Sequence, residues 1–404
     1  MELEDVPVLV LGASAFQAPL AEYLLGCGAR VHVASPDGDY PLVRDARMRW
    51  HDVDVTDIEA LEQVIRDHEI SLLFTDQTDL PVPIIHELNR KLELPGMQGG
   101  DIAPFFRKDQ CRALCVRLGL PVPDHRVVTR AEVGEGEFPW ERFVIKPVDS
   151  QGSRGIVFRS SGAPTLAEDL RSAIAFSKAG KAIAEEFIAG TEYPVEGVIC
   201  GGRYQTLAIG DRTDFHDAPG IPNQAVYRAF DPTEGLHAEL DRVIRVFSEA
   251  TGVQRGITHA EVLVDADGTC FIVEIALRSG ASFIGSHLVP WVSGLDVHGT
   301  LLAFAQGRDE LVWQAPRVPG RTGSFHYFHL SADSVVDSDF EWPAIPESVA
   351  HVYLPSSAGS IGPPRWKNHR YGPFILLHEQ GERDAGVLFN GFVDPRQRVK
   401  FVWH

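Results

Sequence analysis

Over its first hundred residues the chain alternates short apolar runs with longer segments whose apolar positions recur at helical spacing. Val6 to Leu11, Arg30 to Ala34 and Ile70 to Thr75 read as strands, and Gln17–Cys27, Ile58–His68 and Leu80–Lys91 as helices. Strands alternating with helices predict a parallel α/β sheet. The pattern then changes. Residues 104–120 carry an amphipathic helix closed by Gly119 and Pro121. Short strands follow near His125–Val128, Arg142–Pro147 and Ile156–Arg159, then a helix over Leu166–Ser177 and a strand over Ala182–Phe187, which together make a small α+β unit. Ala131–Phe138 is expected to be a surface loop. Asp211–Phe230, dense in Asp, Pro and Gly, is expected to be a mobile or substrate-facing loop, and His237–Thr251 a helix. Beyond about residue 308 the chain breaks into short β segments separated by Pro and Gly.

A length of 404 residues calls for more than one compact unit. The net charge of −19 argues against nucleic acid or an anionic membrane as the main partner. Five cysteines, odd in number and without CxxC spacing, suit a reducing cytoplasm. The opening MELEDVPVLVLG has no basic stretch before its apolar run, so no signal peptide is expected, and no apolar run approaches the roughly 18 residues of a membrane span. The first turn, GASAFQA, lacks the second and third glycines of a dinucleotide fingerprint, and the second strand ends in Ser35 rather than an acid. Both features disfavour a nicotinamide cofactor.

The chemistry concentrates in HAEVLVDADGTCFIVEIALRSG, residues 259–280. Asp265–Gly268 is turn chemistry between two apolar strands, so the segment predicts a hairpin bearing Glu261 and Glu274. Residues two apart on a strand share a face, which would align Glu274, Ala276 and Arg278. A carboxylate inside an apolar run must be paired or bound to metal. Two readings therefore stand: a buried Glu274–Arg278 ion pair, or a Mg²⁺–phosphate site. Upstream, Lys146 sits in the apolar strand FVIKP and leads into Asp149–Gly155, a loop of small residues whose backbone could approach phosphate. The run AIAEEFIAGTE places Glu185 and Glu192 around a short linker.

In this order, Lys108, Lys146 with its Gly/Ser loop, EEFIAGTE and the Glu261…Glu274 hairpin with Arg278 resemble the ATP-grasp superfamily over residues 5–310. The resemblance implies α/β and α+β architecture: an N-terminal parallel α/β domain (1–103), an ATP-grasp domain (104–307) with a small lid at about 124–187, and a β-rich C-terminal segment (308–404). It implies ATP with Mg²⁺, or Mn²⁺ in its place. It also implies Lys108 and Lys146 on phosphate, and Ser150, Gln151, Gly152, Ser153 and Gly155 in the loop over them. Glu185 would face the adenine amino group with Glu186, Phe187 and Ile188 around the base, and Glu192 would hold the ribose. Glu261 and Glu274 would hold metal, and Arg278 with Lys146 would act on the transferred phosphoryl group.

One position departs from the family pattern. Where most members carry Asn after the second glutamate, this chain has Ala276, in Glu274-Ile275-Ala276-Leu277-Arg278. With Thr258-His259-Ala260-Glu261 before it, that ending is similar to the L-amino acid (dipeptide) ligase branch, and His259 becomes a candidate for positioning substrate. The implied activity is ATP-dependent amide formation between a small-molecule carboxylate and an amine, through an acyl phosphate, in the cytoplasm and as a homodimer in one arrangement. The alternatives are an ATP-grasp enzyme with a purine-pathway acceptor and a non-catalytic nucleotide-binding relative. Arg212, His216 and His287 are weaker candidates for substrate contact.

Overall fold

The computed structural model describes residues 2–134, 138–162, 165–215, 218–314 and 320–328, and the strands 334–336, 349–352, 359–361 and 371–378. The N-terminal unit contains β1 (Pro7–Leu11), α1 (Ala18–Gly26), β2 (Arg30–Ser35), β3 (Arg49–Asp52), α2 (Ile58–Asp67), β4 (Leu72–Phe74) and α3 (Val82–Lys91). Its four strands form a parallel sheet in the order β3-β2-β1-β4. β1 is buried along nearly its whole length, as expected for a central parallel strand flanked by helices on both faces. β3, sequence RWHD, was not legible as a strand, because an edge strand needs no continuous apolar run. Asp57 caps α2 by accepting from the Ala60 amide.

α4 (Lys108–Leu118) leads into β5 (His125–Thr129), β6 (Arg142–Pro147), β7 (Val157–Ser160), α5 (Leu166–Ala175) and β8 (Lys181–Glu186). The strands form an antiparallel sheet in the order β5-β8-β6-β7. α5 packs on it through Leu170, Ala173 and Ile174 against Phe143, Ile145 and Ala184.

The largest sheet is built from β9 (Thr191–Cys200), β10 (Arg203–Phe215), β11 (Ala218–Ala229), β12 (Arg255–Val264) and β13 (Cys270–Ala276), with α6 (Gly235–Ala250) between β11 and β12. Then come α7 (Val289–Ser293), α8 (Val297–Ala305), β14 (Thr322–Phe328), β15 (Ser334–Val336), β16 (Val349–Val352), β17 (Gly359–Ile361) and β18 (Tyr371–His378). β14, β18 and β16 join the same sheet, which runs β13-β12-β9-β10-β11-β14-β18-β16. Residues 211–215 and 218–229 are therefore strand, not loop. They belong to the paired strands β10 and β11, whose register shifts near Asp214 accommodate Pro222. Gly210 belongs to this strand pair because a side chain there would meet Pro194 at 2.8 Å and the Tyr227 ring at 3.1 Å.

Alternation along these strands sorts the chemistry. One face carries Val195, Ile199, Ile209, Ala260, Val262 and Ile275 onto α4 and α6. The opposite face is apolar where α7 and α8 cover it, around Val198, Ala208, Tyr227 and Ile257. At its other end that face carries Glu192, Glu196, His259 and Glu261, at odd or even positions of one parity on each strand. Among the described residues no helix is long and apolar enough to cross a membrane.

Candidate active site

The two hairpin glutamates are direct cross-strand partners: Glu261 pairs with Glu274, and His259 with Ala276, in the β12–β13 ladder. Such partners have Cβ atoms about 4.5–5.5 Å apart, so both carboxylates are presented at one spot. Lys108, at the first turn of α4, lies 3.4 Å from Glu274 and also donates to the Ser150 carbonyl at 3.0 Å. Arg212 stands beside Glu261 at 3.5 Å, donates to Glu192 and holds Asp214 at 2.9 Å. The sequence undervalued Arg212, because the segment around it read as a loop. Its nearly buried guanidinium is the central cation of the acidic face. The oxygen-only donor pair Glu261/Glu274, close together and part-buried, fits a hard divalent cation such as Mg²⁺. Ala276 contributes no ligand.

His259 is linked to the same face. Its Nδ1 donates to Glu196 at 2.5 Å, its Nε2 is 3.9 Å from Glu261, and the second Glu196 oxygen accepts from the Gly280 amide at 3.0 Å. A side chain at Gly280 would strike Glu196 at 2.6 Å. Burial alone would lower the histidine pKa, but the Glu196 carboxylate overrides it and raises it from 6.5 to about 9. Glu196 was not singled out from sequence. A raised pKa stabilises the folded chain fully below pH 6.5, and the contribution is lost as pH rises through 9. Denaturant midpoints measured from pH 6 to 10 are expected to show a loss of roughly 3 kcal/mol from this group. His259→Gln should flatten that slope, and an unchanged slope would remove His259 as its source.

Glu185 has a different setting from the expected one. Both of its oxygens are engaged in a buried triad: Arg112 Nε donates to one at 2.6 Å and Lys146 Nζ to the other at 2.6 Å. Lys146, expected on phosphate, is thus held by Glu185. Arg112 also donates to the Ile272 and Val273 carbonyls of β13, at 2.6 and 3.1 Å. It was missed from sequence, although Lys108, Cys111, Arg112 and Cys115 follow the i, i+3, i+4, i+7 spacing of the buried helix face.

The loop after β6 turns through Gly152, Ser153 and Gly155, all at positive φ, and a side chain at Gly155 would meet Pro147 and the Phe176 ring at 2.8 Å. Ser150 and Gln151 line a cleft together with Lys108, Glu274, Ala276 and Arg278. Glu186, Phe187 and Ile188 are half-buried at the end of β8. The Phe187 ring lies under the Arg142 guanidinium, 4.0 Å from its centre, and the Phe187 amide donates to the Arg142 carbonyl.

Arg278 corrects the strand-face expectation. β13 ends at Ala276, and Arg278 makes a two-point pair with Asp79, Nε and Nη2 at 2.8 and 2.9 Å. Its partner is therefore an acid from the N-terminal unit, not Glu274 as in the ion-pair reading. Nearby, Ser279 donates to Asp76 and the Phe283 amide donates to Gln77 at 2.8 Å. The 76–79 loop and the chain after β13 are thus stitched together at the cleft. His287 packs on the Phe283 ring and sits 2.8 Å from the Ser286 hydroxyl. His216 lies outside the described residues.

Residues 140–286 match the ATP-grasp domain family. The D-alanine–D-alanine ligase of Anaeromyxobacter dehalogenans (strain 2CP-1) is 28% identical over 217 residues, 52% of this chain and 68% of that protein. That of Anaeromyxobacter sp. (strain Fw109-5) is 26% identical over 271 residues, 64% of this chain and 85% of that one. Among solved structures, an L-amino acid ligase from Bacillus licheniformis superposes with a TM-score of 0.77 at 18% identity, covering 96% of this chain and 97% of its own. A phosphoribosylglycinamide synthetase from Anaerococcus prevotii gives 0.72 at 15% identity, with the same coverage. The mixed α/β fold and the matched domain agree: residues 140–286 carry an ATP-grasp domain, and the chain is similar to ligases that share it.

Proposed function

We propose that the chain joins the carboxylate of one amino acid to the amine of another, consuming ATP through an acyl phosphate and releasing ADP and phosphate. The observation that carries this reading is the cleft itself: Glu261 and Glu274 opposed on one ladder, Lys108 beside Glu274, and Arg278 fixed by Asp79 at the junction with the N-terminal unit. Mg²⁺ held by Glu261 and Glu274 would supply charge neutralisation for the ATP phosphates. Lys108, already anchored to the Ser150 carbonyl, would meet phosphate oxygens under the 149–155 loop. Arg278 would stabilise charge on the transferred group, its orientation set by Asp79. Lys146 would be shared between Glu185 and phosphate. The Glu185 oxygens retain lone pairs for an adenine amino group, since a carboxylate offers about four acceptor sites. Glu192, tied to Arg212, would take ribose hydroxyls. Closure of the 125–186 unit over the cleft would exclude water, which otherwise hydrolyses an acyl phosphate. The boundaries near 103 and 307 belong to the same reading, as does a cytoplasmic setting.

The protonated His259, anchored by Glu196, places a positive charge beside Glu261. In this reading it attracts the carboxylate of an amino-acid substrate. The relatives named as D-alanine–D-alanine ligases and the L-amino acid ligase structure support amino acids on both sides of the bond. A screen of amino-acid pairs with ATP and Mg²⁺, read by phosphate release and product mass, is expected to give dipeptide formation that needs both partners. Phosphate release indifferent to the amine would reject the proposal.

A further inference from the structure

His32 of β2, His51 of β3 and His68 at the C-terminal end of α2 converge in the N-terminal unit. A ring nitrogen from each lies within 4.8 Å of the others. His32 Nδ1 and His51 Nε2 are 2.9 Å apart, the His32 and His51 rings are stacked with centroids 5.2 Å apart, and the His68 ring lies 5.0 and 4.9 Å from them. The register explains the convergence. His32 pairs with Arg49 and Ala34 with His51, so His32 and His51 stand on one face of adjacent parallel strands, and α2 ends over that face. We propose that these three imidazoles form a second metal site, separate from the ATP cleft, that takes one divalent transition ion of the zinc type with water completing its coordination.

Three histidines with one open position are a recurrent zinc donor set. Nitrogen ligands of a tetrahedral zinc ion stand roughly 3.4 Å apart, given Zn–N bonds of about 2.0–2.1 Å. The ring atoms are therefore within small side-chain shifts of that arrangement. Burial, then the neighbouring histidines and Arg49, keep His51 and His32 at a pKa of about 4. Both rings are thus neutral at physiological pH, the form that ligates. The ion would sit at the negative end of the α2 dipole. Arg49 and Arg30 oppose any cation here, which disfavours weakly held Mg²⁺ or Ca²⁺ and leaves ions with strong imidazole affinity. The cluster sits on β2 and the edge strand β3, whereas the 76–79 loop at the cleft follows β4, and the sheet runs β3-β2-β1-β4. It is thus at the opposite edge of the parallel sheet, where an ion would tie the edge strand and α2 to the core.

Zinc titration of the full chain in excess Mg²⁺, which saturates the carboxylate pair, is expected to register one equivalent. His51→Ala and the half-exposed His68→Ala should each weaken it by more than the roughly 10–100-fold that losing an outer-sphere partner costs. Glu274→Gln should leave it unchanged. The visible spectrum of the Co²⁺-loaded wild-type chain gives a second readout, independent of the variants' folding: an intense tetrahedral band is expected. Equal zinc uptake by wild type and both histidine variants, or a Co²⁺ spectrum without that band, overturns the site and leaves a stack of neutral hydrogen-bonded rings.

Discussion

Glu274→Gln is expected to lower turnover by roughly 10²-fold or more, the scale of losing one preorganised electrostatic group. Glutamine keeps the size and one oxygen acceptor of the side chain but removes a unit of negative charge opposite Glu261. Two consequences follow. A metal held by the pair would lose half of its protein charge, and Lys108, 3.4 Å from Glu274, loses its carboxylate neighbour. Lys108 still donates to Ser150, so the α4 end should keep its place. Glu274 is about one-third exposed on its side chain, so the substitution should leave the folded state intact. The effect should therefore appear as a raised Mg²⁺ requirement and a reduced turnover number, with the melting transition unchanged. Steady-state ADP release across a Mg²⁺ series separates the two. Near-wild-type turnover at every Mg²⁺ concentration would mean that the hairpin acids are structural.

Much of this site was legible because it lies on regular elements. The Glu261–Glu274 pairing follows from a turn at Asp265–Gly268 between two apolar strands, and a hairpin with a fixed turn fixes its register. β6, the strand bearing Lys146, has the bounds its apolar run predicts. What was lost depends on contacts between elements distant in sequence. Asp79 and Arg278 are separated by 199 residues, and nothing in either local pattern names the other. Arg112 and Glu185 are 73 apart, yet one half of that pair was readable: an arginine on the buried stripe of α4 must find an anion. The 211–230 expectation failed for another reason. Pro, Asp and Gly are turn formers on average, but a bulged strand tolerates them and uses Gly210 to let Pro194 approach. Reading that stretch as a loop gave Arg212 too little weight, although its alternation with its strand neighbours aims it at Glu192 and Glu261. The imidazole cluster was hidden similarly, because β3 carries too little apolar weight to announce a strand.

Glu185→Gln should destabilise the folded chain by about 3–5 kcal/mol, the cost of breaking a buried ion pair by removing one partner. The Arg112 guanidinium stays charged in any folded environment. The variant therefore leaves a positive charge buried against an amide, between α4 and the edge strand β13. Burial by itself would raise the Glu185 pKa, but Arg112 and then Lys146 outweigh it and hold the group at about 2, against an ordinary 4.5. The sign follows: a depressed carboxylate pKa stabilises above pH 4.5, and the contribution disappears as pH falls through 2. The stability gap between wild type and Glu185→Gln should accordingly be full near neutrality and close across that acid window. A companion change separates charge from packing. Glu185→Gln combined with Arg112→Met removes the orphaned guanidinium, and with it the uncompensated buried charge that makes loss of one partner costly. It also strips two donors from the Ile272 and Val273 carbonyls, so recovery should be substantial but incomplete. Urea unfolding of the three proteins at neutral pH and near pH 3 tests this. A single-variant cost below about 1 kcal/mol, or a cost independent of pH, would mean that Glu185 is solvated in solution and that α4 is held to the sheet by its apolar stripe alone.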